Sequence, residues 1–230
     1  MKLAAFASTV HKWLALLVAL PVLFWVVSGF FFALYPIERV RSEHRMAQGA
    51  PAPIEVAAIV PPAALLLATA PSKLTLQQSP GGPRYLAEFG EGRAVLFDAR
   101  DGRQLSPLTR EAAVAAALAH LNQALAVRRT DYVTEPSPEY RGALPAWRVA
   151  FVDREGLAVY VGADTGQVSA RRSDLWRLYD GLWAFHIMDW RDHENFNNGL
   201  LVASAALAFI VTIAGIVLLP YRLRFGRKRA

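Results

Sequence analysis

Cysteine is absent from the 230 residues. That removes disulfides, thiolate zinc sites, iron–sulfur ligation and covalent attachment of a c-type haem through C-x-x-C-H. It leaves the compartment open, because a domain of this size folds outside the cytoplasm without cross-links. The chain also lacks a phosphate loop, an H-E-x-x-H pair, a Ser/His/Asp signature and a clustered carboxylate motif. No flavin or nicotinamide fingerprint is present either, so the chain is not a complete reductase by itself. Acidic residues are missing from residues 1–37 and again from 195–230.

What fills the acid-free ends is apolar. The composition is 54% hydrophobic and the mean hydropathy is +0.24, more than an ordinary soluble chain carries. Residues 13–37, WLALLVALPVLFWVVSGFFFALYPI, and residues 195–221, centred on GLLVASAALAFIVTIAGIVLL, contain no charge within the apolar run. Each exceeds the roughly 20 residues needed to cross a hydrocarbon core of about 30 Å. The first run is too long for a signal h-region, and bulky Phe30, Phe31, Phe32, Leu34 and Tyr35 stand where small residues would precede a cleavage site. It reads as an uncleaved anchor that Pro21 bends modestly.

The flanks predict orientation. Lys2 and Lys12 precede the first run, and Arg222, Arg224, Arg227, Lys228 and Arg229 follow the second. Both ends (1–12 and 222–230) are therefore expected in the cytoplasm, with the middle of the chain outside and the protein in the cytoplasmic membrane. Seven of the 25 Lys and Arg sit in those ends, leaving 18 against all 19 Asp and Glu. A nearly neutral central region gives no indication of a nucleic-acid surface, and the basic tail suits contact with anionic lipid.

Between the runs, a linker over 38–53 leads to two similar stretches. Residues 54–108 carry a short helix candidate over 62–70, strands near 73–78, 84–89 and 93–98, and turn signals at GEG (90–92) and Asp101-Gly102. Residues 109–172 begin with Thr109 as an N-cap and continue through AVAAALAHLNQALAV as a helix. Strands are then expected near 130–134, 146–152 and 157–162. GRAVLFDARDGRQLS and GLAVYVGADTGQVSA share a strand–turn–exit pattern about 64 residues apart, the mark of an internal duplication. The predicted fold class is α+β, each unit placing a helix against a small antiparallel sheet.

The segment AWRVAFVDREGLAVYVGADTGQVSARR resembles the end of a PepSY domain, whose hairpin leads into a D-x-x-T-G-x-V turn; Asp164-Thr165-Gly166-Gln167-Val168 is a shortened form of it. His11-Lys12-Trp13 and the stretch over 175–189 resemble the PepSY-associated transmembrane helix family. The resemblance implies two PepSY-like modules between membrane helices. It also implies haem b and reduction of iron carriers, with electrons from a cytoplasmic flavin or NAD(P)H reductase passing to an envelope acceptor. Equally, it implies an envelope binding module that restrains a partner protein such as a protease.

Histidine is the residue type that would carry the first function. Trp176, Tyr179, Trp183, His186 and Trp190 are spaced 3, 4, 3 and 4, one face of a helix over 173–194. That face reads either as an interfacial aromatic belt or as a haem wall with His186 as axial ligand. His11, at the start of the first run, reads either as a solvated interfacial residue or as a second ligand. The two stand at opposite faces of the membrane, so one haem cannot use both within one chain. A six-coordinate site needs a second copy, another subunit or a non-histidine ligand. His193 with Asp189, Asp192 and Glu194 reads as a solvated collar rather than a metal site. Asn195, Asn197 and Asn198 are suited to capping the second membrane helix. Ser204, Ala208 and Thr212 form a small-residue face for packing on the first helix or for a homodimer.

Overall fold

The computed structural model describes residues 2–47, 53–65, 67 and 69–223. Lys2, Arg222, Arg224, Arg227, Lys228 and Arg229, whose basic side chains carry the orientation argument, lie outside the described side chains, as do residues 48–52 of the linker. The chain divides into a helical unit, residues 1–36 with 178–230, and an α+β unit, residues 37–177.

In the helical unit, α1 (Lys2–Leu34) and α5 (Gly199–Leu223) are long and continuous, with Pro21 inside the first and Pro220 inside the second. Their lengths correspond to about 50 and 37 Å. The apolar spans run over Ser8–Leu34 and Gly199–Pro220, and only 11% and 6% of their most apolar windows is buried. A core helix of a soluble protein would be covered; here the apolar side chains face outward, as lipid-exposed helices require. Residues 11, 14, 18, 21, 25 and 28 of α1 and residues 201, 204, 208, 211, 215 and 218 of α5 are covered relative to their neighbours. Both sets follow a 3–4 spacing, so one stripe of each helix packs as in a coiled coil. His11 meets Gly215, which makes the pair antiparallel and brings the start of α1 and the end of α5 to one end. The seven-residue repeat then sets Val18 level with Ala208 and Trp25 level with Leu201. Small residues at Ser204, Ala208 and Gly215 let the backbones approach. Of the expected small-residue face, Ser204 is buried and Ala208 is covered, whereas Thr212 is exposed and donates its hydroxyl to the Ala208 carbonyl at 2.8 Å.

The α+β unit opens with the short α2 (Ile37–Val40). It contains a three-stranded antiparallel sheet, β1 (Lys73–Ser79), β2 (Gly82–Glu88) and β3 (Ala94–Asp98), in that order. A four-stranded antiparallel sheet follows, β4 (Val127–Val133), β5 (Ala146–Phe151), β6 (Ala158–Gly162) and β7 (Val168–Arg172). The GEG turn places Glu91 and Gly92 at positive φ, and Gly102 takes φ 75 in the second expected turn. One helix, α3 (Arg110–Ala119), packs on the second sheet. Thr109 caps it, accepting from the Ala112 amide at 3.2 Å.

Two expectations are corrected here. Among the described residues of the helix candidate over 62–70, the only helical turn is a 3-10 turn at Pro62–Ala64; Pro61 and Pro71 bracket a short stretch. The α3 helix stops at Ala119 instead of running on, because the following backbone is taken by another segment. Ala47 donates to the His120 carbonyl at 3.0 Å and Asn122 donates to the Arg45 carbonyl at 3.0 Å. The two sheets consequently share one core instead of each owning a helix. Leu86 and Leu96 of the first sheet join Ala113, Ala117, Val149, Phe151 and Val159 in one buried cluster. Tyr85, Ala87 and Phe97 alternate to the other face, beneath Leu65 and its neighbours.

Candidate functional site

The fourth helix, α4 (Asp174–Ile187), carries His186. Its 3–4 aromatic stripe does not act as one surface. Trp176 is covered by the Arg172 guanidinium at 3.9 Å within the α+β unit. In the helical unit, Tyr179 packs on Phe32 at 4.5 Å and Trp183 on the same ring at 6.2 Å. Trp190 lies beyond the helix end and is 55% exposed. Contacts step from Tyr179 with Phe32 to His186 with Ser28 and Phe185 with Phe24. The C-terminal part of α4 therefore runs antiparallel alongside α1, its stripe spent on helix packing.

His186 is held on several sides. Its Nδ1 lies 2.7 Å from the Ser28 Oγ, and Ser28 is 1% exposed. The serine hydroxyl donates its one proton to the Phe24 carbonyl at 2.5 Å, so its oxygen is left to accept from His186 Nδ1–H. Trp25 Nε1 donates to the His186 carbonyl at 2.7 Å, fixing the backbone as well. Trp183 lies parallel to the imidazole at 6.0 Å and Phe32 meets it edge-on at 5.6 Å. Burial pushes the imidazole below the ordinary histidine value, which keeps it neutral. The tautomer that results carries its lone pair on Nε2, which has no hydrogen-bond partner among the described residues. Such an imidazole can serve as a ligand to a metal or as an acceptor.

His11 stands elsewhere. It is 14 to 17 residues from Trp25 and Ser28 on the continuous α1, roughly 21 to 26 Å along the axis, so the two histidines are not brought together. Its Nδ1 is buried without a hydrogen-bond partner. Gly215 faces it so closely that a Cβ there would lie 3.1 Å from His11 Cε1. A cavity of about 480 Å³ opens beside it between α1 and α5.

The acidic segment after α4 is a folded loop in which Asp192 and Glu194 stay exposed. Asp189 accepts from the amides of Arg191, Asp192, Glu194 and Asn195, and these bonds lower its pKa to about 2. His193 Nδ1 meets Asp180 Oδ2 at 2.6 Å, and Trp183 Nε1 donates to the His193 carbonyl at 3.2 Å. Asn198 Oδ1 caps α5 by accepting from the Leu201 amide at 2.9 Å, while Asn195 closes a turn onto Asn197. Among the described residues, no group of three or more His, Asp or Glu is placed to hold a metal ion.

Sequence reasoning missed Ser28, Trp25 and the Asp180–His193 pair. Ser28 did leave a signal, as the one hydroxyl-bearing aliphatic side chain in the apolar run of residues 13–37. In the α+β unit, His120 Nε2 accepts from Arg171 at 3.0 Å, and burial followed by the Arg171 charge lowers its pKa. It lines a groove of about 530 Å³ with Gln77, Gln78 and Gln167. Compared with family models, with curated proteins and with solved structures, the chain matches none of them.

Proposed function

We propose that this membrane-anchored α+β protein is a transmembrane electron-transfer subunit that holds haem b through His186. The observation that carries this reading is the Ser28–His186 bond, which presents an oriented, neutral imidazole with its Nε2 lone pair open. Haem, when bound, supplies a one-electron couple whose potential depends on the axial ligand and its hydrogen bonding. The chain's own residues then have simple tasks. His186 ligates, Ser28 keeps the ring in one tautomer, and Trp183 and Phe32 exclude water from the ring's flanks. His11 does not share this haem, for the distance along α1 is too great. Any further ligand to the haem would come from another copy, another subunit or a non-histidine group.

The PepSY resemblance supports the same assignment, with the α+β unit on the outer side and both chain ends in the cytoplasm. A cytoplasmic flavin or NAD(P)H reductase is the electron donor in this reading, and an envelope iron carrier the acceptor. The protein purified from a haem-replete host is expected to show a reducible Soret band that His186→Ala abolishes and His120→Ala leaves intact. A colourless, folded wild-type protein would reject the assignment.

One observation favours a second reading, an anchored module that restrains another envelope protein. The groove beside His120 is wide and lined by amide side chains able to pair with a peptide backbone. Co-purification of one envelope protein, lost on substituting Gln77 and Gln167, would favour it over electron transfer.

A further inference from the structure

The cleft at the His11 end of the helical unit has a composition unlike the rest of the α1–α5 contact. One wall carries Ser8, His11 and Lys12 from α1; the other is largely apolar, with Val211, Ile216 and Leu219 beside Thr212 from α5. Ser8 opens the apolar span of α1 and Pro220 closes that of α5. The cavity therefore lies where hydrocarbon gives way to headgroups at that end. Lys12 is exposed, its ammonium 5.8 Å from the Trp13 ring, an arrangement in which the stem follows apolar surface and the charge reaches the interface. No Asp or Glu occurs in residues 1–37 or 195–230 to neutralise it. His11 contributes a second feature, a buried Nδ1 with no hydrogen-bond partner among the described residues.

We infer that this cleft binds an acidic phospholipid. The Lys12 ammonium attracts the headgroup phosphate, and the acyl chains lie along Val211, Ile216 and Leu219. A zwitterionic lipid fits less well because Lys12 repels its cationic group, and free phosphate has nothing to offer the apolar wall. Gly215 keeps the cleft open beside His11, since a side chain there would press on the imidazole. The inference does not rest on the haem reading, which concerns the opposite end of α1.

Native mass spectrometry of the full chain tests it, with phosphatidylglycerol titrated against phosphatidylcholine. Preferential retention of phosphatidylglycerol is expected, weakened about fivefold by Lys12→Gln, the equivalent of one interfacial lysine. Ile216→Trp, which fills the apolar wall without changing charge, is expected to displace the lipid as well, so a folding failure of one variant leaves the other informative. Equal retention of the two lipids, insensitivity to both substitutions, displacement by inorganic phosphate alone, or recovery of a quinone in place of lipid would each overturn it.

Discussion

The two units are built inside out relative to one another. In the α+β unit, Phe151, Leu96 and Val159 are sealed in a shared apolar core while Arg and Glu cover the outside. In the helical unit, Leu17 is 63% exposed and Phe209 and Ile210 also face outward, whereas Ser28 and Ser204 are buried together with Val18 and Ile187. The same residue types take opposite places because one unit folds against water and the other against hydrocarbon. A polar atom inside the helical unit is thus a directed contact, and His186 with Ser28 is the most fully determined of them.

The largest expected effect comes from cutting into the water-folded core. Phe151→Ala should destabilise the α+β unit by about 3–5 kcal/mol, read as a fall in denaturant midpoint, because the ring is 1% exposed. Leu17→Ala, equally apolar but lipid-facing, should change stability in bilayers by no more than about 0.5 kcal/mol. Similar losses from both would erase the contrast between the units. Next in size, Gly215→Leu should separate α1 from α5 at His11 and cost about 1–3 kcal/mol. Cross-linking of cysteines placed at Val18 and Ala208 reports it; an unchanged yield would show that the helices are not in this register.

Much of this arrangement is legible in the sequence, and the reasons for the misses are physical. Charge-free runs mark both spans, and Thr109, GEG and Asp101-Gly102 mark a helix start and two turns that the structure contains. The strand β7 escaped because VSARR is short and offers only Val168 and Ala170 as apolar positions; its pairing comes from β6. The excess helix assigned after Ala119 reflects local propensity overruled by backbone bonds from Arg45 and Ala47. The aromatic stripe showed the right periodicity but not its use, since periodicity names a face without naming what covers it. Only the fold could pair Ser28 with a histidine 158 residues away.

Smaller effects sharpen the comparison. Ser28→Ala should cost about 1 kcal/mol and, more tellingly, mix the His186 tautomers, visible in its ring ¹⁵N shifts; a spectrum identical to wild type would mean the hydroxyl does not set the proton's place. The smallest concerns His120. Its folded pKa lies below the ordinary value of 6.5, so the unfolded chain takes up the proton first as pH falls. Stability of the α+β unit is then full above about pH 6.5 and declines below it. His120→Phe should flatten that decline in urea titrations; an unaltered slope would assign it to other groups.

In the proposed haem site, His186 offers its open Nε2 to the iron. Haem content per chain, measured for wild type and for His186→Gly with and without added imidazole, addresses it most directly. Haem is expected in the wild type, with loss in the variant and recovery when free imidazole enters the vacated space beside Ser28 and Trp183. Wild-type protein without haem from a haem-replete host, or haem content indifferent to His186→Gly, would contradict it.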